Sequence, residues 1–162
     1  MPINEKRSLY IAYGSNLNLR QMAHRCPTAE VVGTTVLENY RLRFCGGSHC
    51  AVATIEKEQG SGVPVLIWSI TEQDEKALDI YEGWPHLYRK ELLPISINGE
   101  RQTAMVYIMV EQSSHYKYNM PSGMYLNTIV EGYESAGFDL TILTQAVKES
   151  IKESVSNDTE SI

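Results

Sequence analysis

The sequence is short of the residues that mark several large classes of protein. Its 162 residues include three cysteines, Cys26, Cys45 and Cys50, which are too few and too irregularly spaced for a disulfide framework or a common zinc site. Its 14 lysines and arginines stand against 20 acidic residues, whereas a general nucleic-acid binder needs a basic face. The longest apolar runs, 63–70 and 104–110, are far shorter than the ~20 residues that span a bilayer. We therefore expect no metal, nucleic-acid or membrane partner.

The common nucleotide and hydrolase motifs are also missing. The chain contains neither the phosphate loop G-x-x-x-x-G-K-[ST] nor a G-x-G-x-x-G after a strand, so no nucleotide cofactor is expected. Gly47-Ser48-His49 does not fit the G-x-S-x-G elbow of serine hydrolases. The N-terminal residues are polar and no apolar core follows them, so we expect no secretory signal and a cytoplasmic location.

The acidic charge is concentrated near the C-terminus. Residues 131–162 carry seven acidic and two basic side chains, so they account for −5 of the formal net charge of −6. Length and composition predict one domain over 1–154, with its core at 8–137 and an acidic helix at 139–154. Residues 155–162 are polar and are predicted to form a flexible tail.

Periodicity and turn residues predict an α+β fold. Strands are predicted at 8–13, 31–44, 51–56, 63–70, 88–97 and 102–110, and helices at 18–25, 71–82, 124–136 and 139–154. Gly60–Gly62 and Asn98-Gly99 are typical of turns between strands. Gly33 favours a bulge, and Pro94 favours an edge position. The predicted architecture is a small, mostly antiparallel β-barrel of five to six strands, flanked by helices.

The first candidate site lies where the first strand meets a helix, at Tyr10-x-x-Tyr13-Gly14-Ser15-Asn16-Leu17. Backbone N–H groups converge at such a turn, where the helix dipole is positive, and they can bind a carboxylate or an oxyanion without Lys or Arg. An ordinary capped turn has the same spacing, so the residues alone leave both interpretations open.

The second candidate is Glu82, the last acid before a predicted helix stop at Gly83. The helix dipole is negative there, and aromatic neighbours would remove water, so both effects raise the pKa of a carboxyl. Such a group is a competent general base near neutral pH. An exposed Glu that merely ends a helix fits the sequence equally well, and Asp79, one turn earlier, is an alternative acid.

A third candidate is the loop Pro121-Ser122-Gly123-Met124-Tyr125, which opens a later helix. The chain has ten tyrosines and only two phenylalanines. Tyrosine suits polar pockets because it combines apolar area with a hydroxyl that donates and accepts. Some of these tyrosines are equally well explained as ordinary strand residues.

Three motifs in this order resemble the gamma-glutamylcyclotransferase superfamily, including its avirulence-induced-gene branch. They are Tyr-Gly-Ser-Asn-Leu after the first strand, Leu-Asp-x-Tyr-Glu-Gly-x-Pro near the middle, and Pro-Ser-x-x-Tyr before a late helix. The resemblance spans roughly Leu9 to Gly137. Glu-Gly-x-Pro followed by Tyr88-Arg89 looks closer to gamma-glutamylamine-type and bacterial members than to the glutathione-pathway enzyme.

This resemblance implies a small barrel and an intramolecular aminolysis. The α-amine of a small γ-glutamyl substrate would attack its own γ-carbonyl, giving 5-oxoproline and a released amine or amino acid, with no metal or organic cofactor. Glu82 matches the general base of the family. The residues matching its substrate-binding positions are Tyr10, Tyr13, Gly14, Ser15, Asn16, Leu17 and Tyr125.

Other assignments stay open at this stage. Trp84, Pro85 and His86 follow the candidate base directly, and this adjacency suggests a wall for the leaving group. A non-catalytic protein that keeps the pocket and captures a small ligand is an alternative. A second alternative is an interaction protein that uses the acidic C-terminal helix. The identity of the amine and the oligomeric state are not decided by the sequence.

Overall fold

The structure is a computed structural model that describes residues 5–160, with side chains up to residue 155. In chain order these residues form β1 (Arg7–Ala12), α1 (Leu19–Arg25), β2 (Glu30–Cys45), β3 (Val52–Thr71), α2 (Glu72–Glu82), β4 (Tyr88–Ile97), β5 (Glu100–Met109), α3 (Gly123–Ala136) and α4 (Leu140–Glu160). A 3₁₀ turn, Ser15–Leu17, links β1 to α1. The predicted α+β class is confirmed.

The strands form one mixed sheet in the order β2-β3-β1-β5-β4. The central strand β1 runs antiparallel to β3 and parallel to β5, and the other neighbours are antiparallel. Within the described residues the edge strands β2 and β4 do not pair, so the predicted closed barrel is wrong and the sheet is open. A groove of about 570 Å³ separates residues 35–40 from 93–96. Pro94 has no N–H to donate across this groove, which disfavours closure there.

The predicted turn at Gly60–Gly62 is also wrong, because β3 is continuous through it. The pairing of β2 with β3 shifts register between Glu38 and Tyr40, and Gly60 N–H donates to Asn39 Oδ1 at 3.0 Å. Asn39 (φ 67°) and Gly60 (φ 88°) adopt the left-handed backbone that a bulge requires. The glycine therefore marks a bend shared by two long strands, and the hairpin connection lies at residues 46–51.

Local signals elsewhere are confirmed. β2 shifts register between Val31 and Gly33, and Pro94 lies on the edge strand β4. Thr71 begins α2 with a capping box to Asp74, in which each side chain accepts from the other residue's backbone N–H. Gly83 ends α2 in the left-handed conformation, as the sequence predicts.

The helices fix the position of the turn that follows β1. A Cβ built on Gly132 of α3 would lie 2.6 Å from Leu17 Cβ, so only glycine allows α3 to approach this closely. Leu17 is buried at this contact. The 3₁₀ turn is therefore clamped between the sheet and α3.

The C-terminal helix is longer than predicted. It ends at Glu160 instead of 154, so it includes most of the segment predicted as a flexible tail. Residues 161 and 162 of that segment lie outside the described part of the chain. Leu143, Ala146 and Ser150 are buried against the rest of the protein. None of the described helices combines the length and apolar content needed to cross a membrane.

Candidate active site

A cavity of about 210 Å³ opens where β1, α2 and α3 meet. It contains most of the predicted site residues, which lie far apart in the chain. Its lining residues are Tyr10, Ile11, Tyr13, Gly14, Ser15, Asn16, Val52, Ala53, Tyr81, Glu82, Leu87, Tyr88, Tyr107 and Tyr125. The walls are thus mainly tyrosine rings and hydroxyls, with one carboxylate and the exposed backbone of a turn.

The turn after β1 supplies backbone donors to this cavity. Leu17 N–H donates to Gly14 O at 3.0 Å and closes the 3₁₀ turn, whereas the Ser15 and Asn16 N–H groups have no acceptor among the described residues. A Cβ on Gly14 would lie 3.2 Å from Ala53 Cβ, tighter than ordinary contact. The lack of a side chain at Gly14 keeps this wall close to β3. The two free N–H groups can receive a negatively charged oxygen.

Glu82 is the last residue of α2 and projects into the cavity. Its side chain is partly buried, and its carboxylate has no hydrogen-bond partner in the described part of the chain. Burial raises the pKa of Glu82 to about 7, and the positive charge of Arg25 opposes part of this rise. Near neutral pH the group can therefore both take up and release a proton.

Asp79, the alternative acid, lies outside the cavity and is already paired. Tyr107 Oη donates to Asp79 Oδ1 at 2.6 Å, and Lys90 Nζ lies 2.8 Å from the same oxygen. A carboxylate oxygen that already contacts a cation and a hydroxyl is not free to approach a substrate proton. The structure thus brings Glu82 to the cavity and leaves Asp79 as a support for the last turn of α2.

Buried hydroxyls brace the cavity walls. Tyr13 Oη donates to Tyr107 O at 2.6 Å, and Tyr88 Oη donates to Ala53 O at 2.6 Å. Tyr125 Oη accepts from Ala53 N at 3.0 Å. Burial raises the pKa of Tyr13, Tyr88 and Tyr125, so these hydroxyls stay neutral at physiological pH. These tyrosines therefore give the cavity polar walls, and the titrating carboxyl in its lining is that of Glu82.

A second layer of contacts joins the turn to α1 and α2. Asn16 Nδ2 donates to Tyr10 Oη at 2.8 Å, and Arg25 Nη1 donates to Asn16 Oδ1. The Arg25 guanidinium lies 3.3 Å from the centroid of the Tyr81 ring, and Ser15 Oγ lies 3.1 Å from Tyr81 Oη. One arginine therefore contacts both the turn and the residue next to Glu82.

Four predicted site residues do not line the cavity, namely Leu17, Trp84, Pro85 and His86. Leu17 is buried under α3, where it supports the turn. Trp84 is 43% exposed, and Lys90 Nζ lies 4.1 Å from the centroid of its ring. His86 is exposed on the surface. Adjacency to Glu82 in sequence does not bring Trp84 or His86 to the site, because Gly83 reverses the chain after α2.

Four residues that shape the site were not among the predicted site residues. They are Arg25, Tyr81, Tyr88 and Tyr107. The excess of tyrosine over phenylalanine was a signal for the three tyrosines, since a buried ring with no polar partner is normally phenylalanine. Nothing local marks Arg25, whose partners belong to the preceding turn and to α2.

Comparisons with known proteins identify the family and several relatives of this chain. A family model described as "Gamma-glutamyl cyclotransferase, AIG2-like" matches residues 10–127. A "Gamma-glutamylcyclotransferase" from Homo sapiens is 27% identical over 146 residues, which cover 85% of this chain and 76% of the relative. A solved structure of a "Gamma-glutamyl cyclotransferase" superposes with a TM-score of 0.76 at 25% identity, covering 87% of this chain and 86% of its own.

The finer branch stays a prediction. An aig2-like protein from Mus musculus superposes with a TM-score of 0.55 at 19% identity, over 68% of this chain and 82% of its own, and it shows a shared fold alone. The matches therefore support the superfamily and leave the predicted likeness to gamma-glutamylamine-type and bacterial members untested.

Proposed function

Because the chain belongs to the gamma-glutamyl cyclotransferase, AIG2-like family, we propose that it cyclises a γ-glutamyl amine or γ-glutamyl amino acid. The products are 5-oxoproline and the released amine or amino acid. The substrate is a small molecule, and neither a metal nor an organic cofactor takes part. The observation that carries this proposal is the unpaired Glu82 carboxylate in a tyrosine-lined cavity.

Glu82 acts as the general base. The substrate's α-ammonium must lose a proton before its nitrogen can attack the γ-carbonyl, and a carboxylate with a pKa of about 7 can accept that proton. The same group then delivers the proton to the leaving nitrogen as the γ-amide bond breaks. A pKa near the working pH serves both steps, because neither protonation state is strongly favoured.

The turn after β1 binds the negative oxygens. The free Ser15 and Asn16 N–H groups can donate to the substrate α-carboxylate or to the oxyanion that forms at the γ-carbon. The cavity is small, so it holds the γ-glutamyl portion folded back on itself while the leaving group extends outwards. Oriented intramolecular attack of this kind lowers the barrier by several kcal/mol, up to roughly 10.

The test compares Glu82→Gln with Glu72→Gln, a matched change at an exposed glutamate in the first turn of the same helix. Each variant is incubated with a panel of γ-glutamyl amines and amino acids, and 5-oxoproline is quantified. We expect Glu82→Gln to lower turnover by about 100- to 10,000-fold, since general-base catalysis contributes that much, while Glu72→Gln matches the wild type.

Binding separates loss of chemistry from loss of the site. Calorimetry should show that Glu82→Gln still binds 5-oxoproline, because the amide fills the same space as the carboxylate. Full turnover in Glu82→Gln contradicts the assignment of the base. A wild type that binds 5-oxoproline but cyclises no member of the panel supports instead a non-catalytic protein that retains the pocket.

A further inference from the structure

Arg25 fixes the direction of the Asn16 side-chain amide. A guanidinium has only donors, so the amide atom that faces Arg25 Nη1 is the oxygen, Asn16 Oδ1. The second nitrogen of the guanidinium, Nη2, donates to Gln21 Oε1 at 3.1 Å, which anchors the arginine on α1. The amide cannot flip while Arg25 stays in this position, because its NH₂ group would then face a cation.

The direction of this amide determines what the Tyr10 hydroxyl does. With Oδ1 turned to Arg25, Asn16 Nδ2 points to Tyr10 Oη and donates to it at 2.8 Å. The hydroxyl therefore accepts from Asn16 and keeps its own proton, for which the described part of the chain offers no acceptor. Tyr10 is 3% exposed and lines the cavity, so the site that remains for this proton is a ligand oxygen inside the cavity.

We infer that Arg25 is a positioning residue that acts through Asn16 to make the Tyr10 hydroxyl a donor to a substrate oxygen. This role rests on the proposed cyclisation. Without Arg25, the Asn16 amide can turn its oxygen to Tyr10, and the hydroxyl then donates to the protein instead of the substrate. The guanidinium also stacks on Tyr81, so it links the donor side of the cavity to the turn of α2 that carries Glu82.

The same arginine influences the ionisation of Glu82. The titratable groups that surround the cavity are the hydroxyls of Tyr10, Tyr13, Tyr81, Tyr88, Tyr107 and Tyr125. Arg25 is the cation whose charge lowers the pKa of Glu82 against the effect of burial. Removing this charge should raise that pKa, so the acid side of the pH profile should move to higher pH.

A double-mutant cycle tests the connection through Asn16. We measure kcat and KM for wild type, Arg25→Met, Tyr10→Phe and the double variant, with γ-glutamyl substrates and 5-oxoproline detection. Tyr10→Phe should lower kcat by about tenfold or more, because it removes a donor to developing charge. At a pH above the acid limb, where Glu82 is ionised in every variant, Arg25→Met should lower kcat by about tenfold alone and by about twofold or less on the Tyr10→Phe background, since residues that act through one another are not additive.

The pH profile provides a readout that a merely structural role would not change. The acid limb of kcat/KM should lie near pH 7 in the wild type, at higher pH in Arg25→Met, and at its wild-type position in Arg25→Lys, which keeps the charge. If Arg25→Met does not fold, Arg25→Gln with Tyr10→Phe forms the same cycle, because a glutamine amide can accept as well as donate and so no longer fixes the direction of the Asn16 amide.

The outcomes separate this role from the proposed function. Two results would overturn the role of Arg25 while leaving the proposed function in place. In the first, the wild type is active and the fold losses in kcat of the Arg25 and Tyr10 variants multiply in the double variant. In the second, the wild type is active and the acid limb of its pH profile does not move in Arg25→Met. A wild type that forms no 5-oxoproline from any substrate overturns the proposed function and this role with it.

Discussion

Two glutamates lie among tyrosines and arginines in this protein, and their surroundings have opposite consequences. Glu56 on β3 accepts hydrogen bonds from Tyr116 and from Tyr118 (2.6 Å), and Arg41 binds its other oxygen at 3.0 Å. The Glu82 carboxylate has no such partner within the described residues. The same residue types thus form a closed structural cluster at one site and leave a carboxylate free for chemistry at the other.

The cluster around Glu56 also anchors the acidic C-terminal helix. Arg43 is 2% exposed, lies 3.6 Å from Glu56, and pairs with Glu149 and Glu153 of α4 at 3.5 and 2.6 Å. Two of the acids that make the C-terminal segment negative are therefore internal partners of a buried arginine. This lessens the support for α4 as an acidic surface for a partner. A glutamate available for chemistry therefore differs from a structural one in its unused hydrogen-bonding capacity, more than in the residue types around it.

The largest expected effect on stability is at Glu56. Glu56→Ala leaves Arg43 without its strand partner and removes the acceptor of two tyrosine hydroxyls, so we expect a loss of about 3–5 kcal/mol in the free energy of unfolding. Urea unfolding measures this, with Glu58→Ala, a partly exposed neighbour bound to Arg41, as the control that should change little. Equal losses in the two variants would show that the buried cluster has no special importance.

The next effect separates chemistry from stability at Glu82. Glu82→Asp withdraws the carboxylate by one methylene, and misplacement of a reacting group by ~1 Å costs about 100-fold in turnover. We expect no comparable loss in urea unfolding, because the carboxylate has no protein partner to lose. Unchanged turnover would mean that the position of this carboxylate is not critical.

A pH dependence of stability follows from the raised pKa of Glu82. The folded protein binds this proton up to about pH 7, whereas the unfolded chain releases it near the ordinary value of 4.5, so stability falls as pH rises between these values. Between pH 5 and pH 8 the wild type should lose about 1–3 kcal/mol more than Glu82→Gln does. Parallel unfolding curves for the two proteins at both pH values would contradict the burial of this carboxyl.

The smallest expected effect is at Trp84. Trp84→Ala removes the stacking of Lys90 and should cost about 0.5–1 kcal/mol of stability. Relative kcat/KM values across a panel of γ-glutamyl amines should stay the same, since the ring lies outside the cavity. Trp84→Phe, which keeps a ring, is the matched control. A changed order of preference among the amines would support the prediction that Trp84 contacts the leaving group.

Signals that act over a few residues were reliable in this sequence. The bulge beside Gly33, the left-handed stop at Gly83 and the edge position of Pro94 each follow from the chemistry of one or two side chains. The motif around Gly14 and the glutamate before Gly83 were singled out for the same reason. Each required only a turn or a helix end, which the chain forms locally.

The sequence by itself determined the α+β class, most helix and strand positions, and the pair of motifs that face each other in the cavity. Only the tertiary structure decided that the sheet stays open, that Gly60 belongs to a bulge, and that Asp79 is paired while Glu82 is free. The reason is physical: caps and turns depend on neighbours in the chain, whereas burial and pairing depend on groups brought together from distant positions. The shortage of basic side chains led us to expect no nucleic-acid partner, and only the fold showed that Arg25 lies at the site and Arg43 beneath the acidic helix.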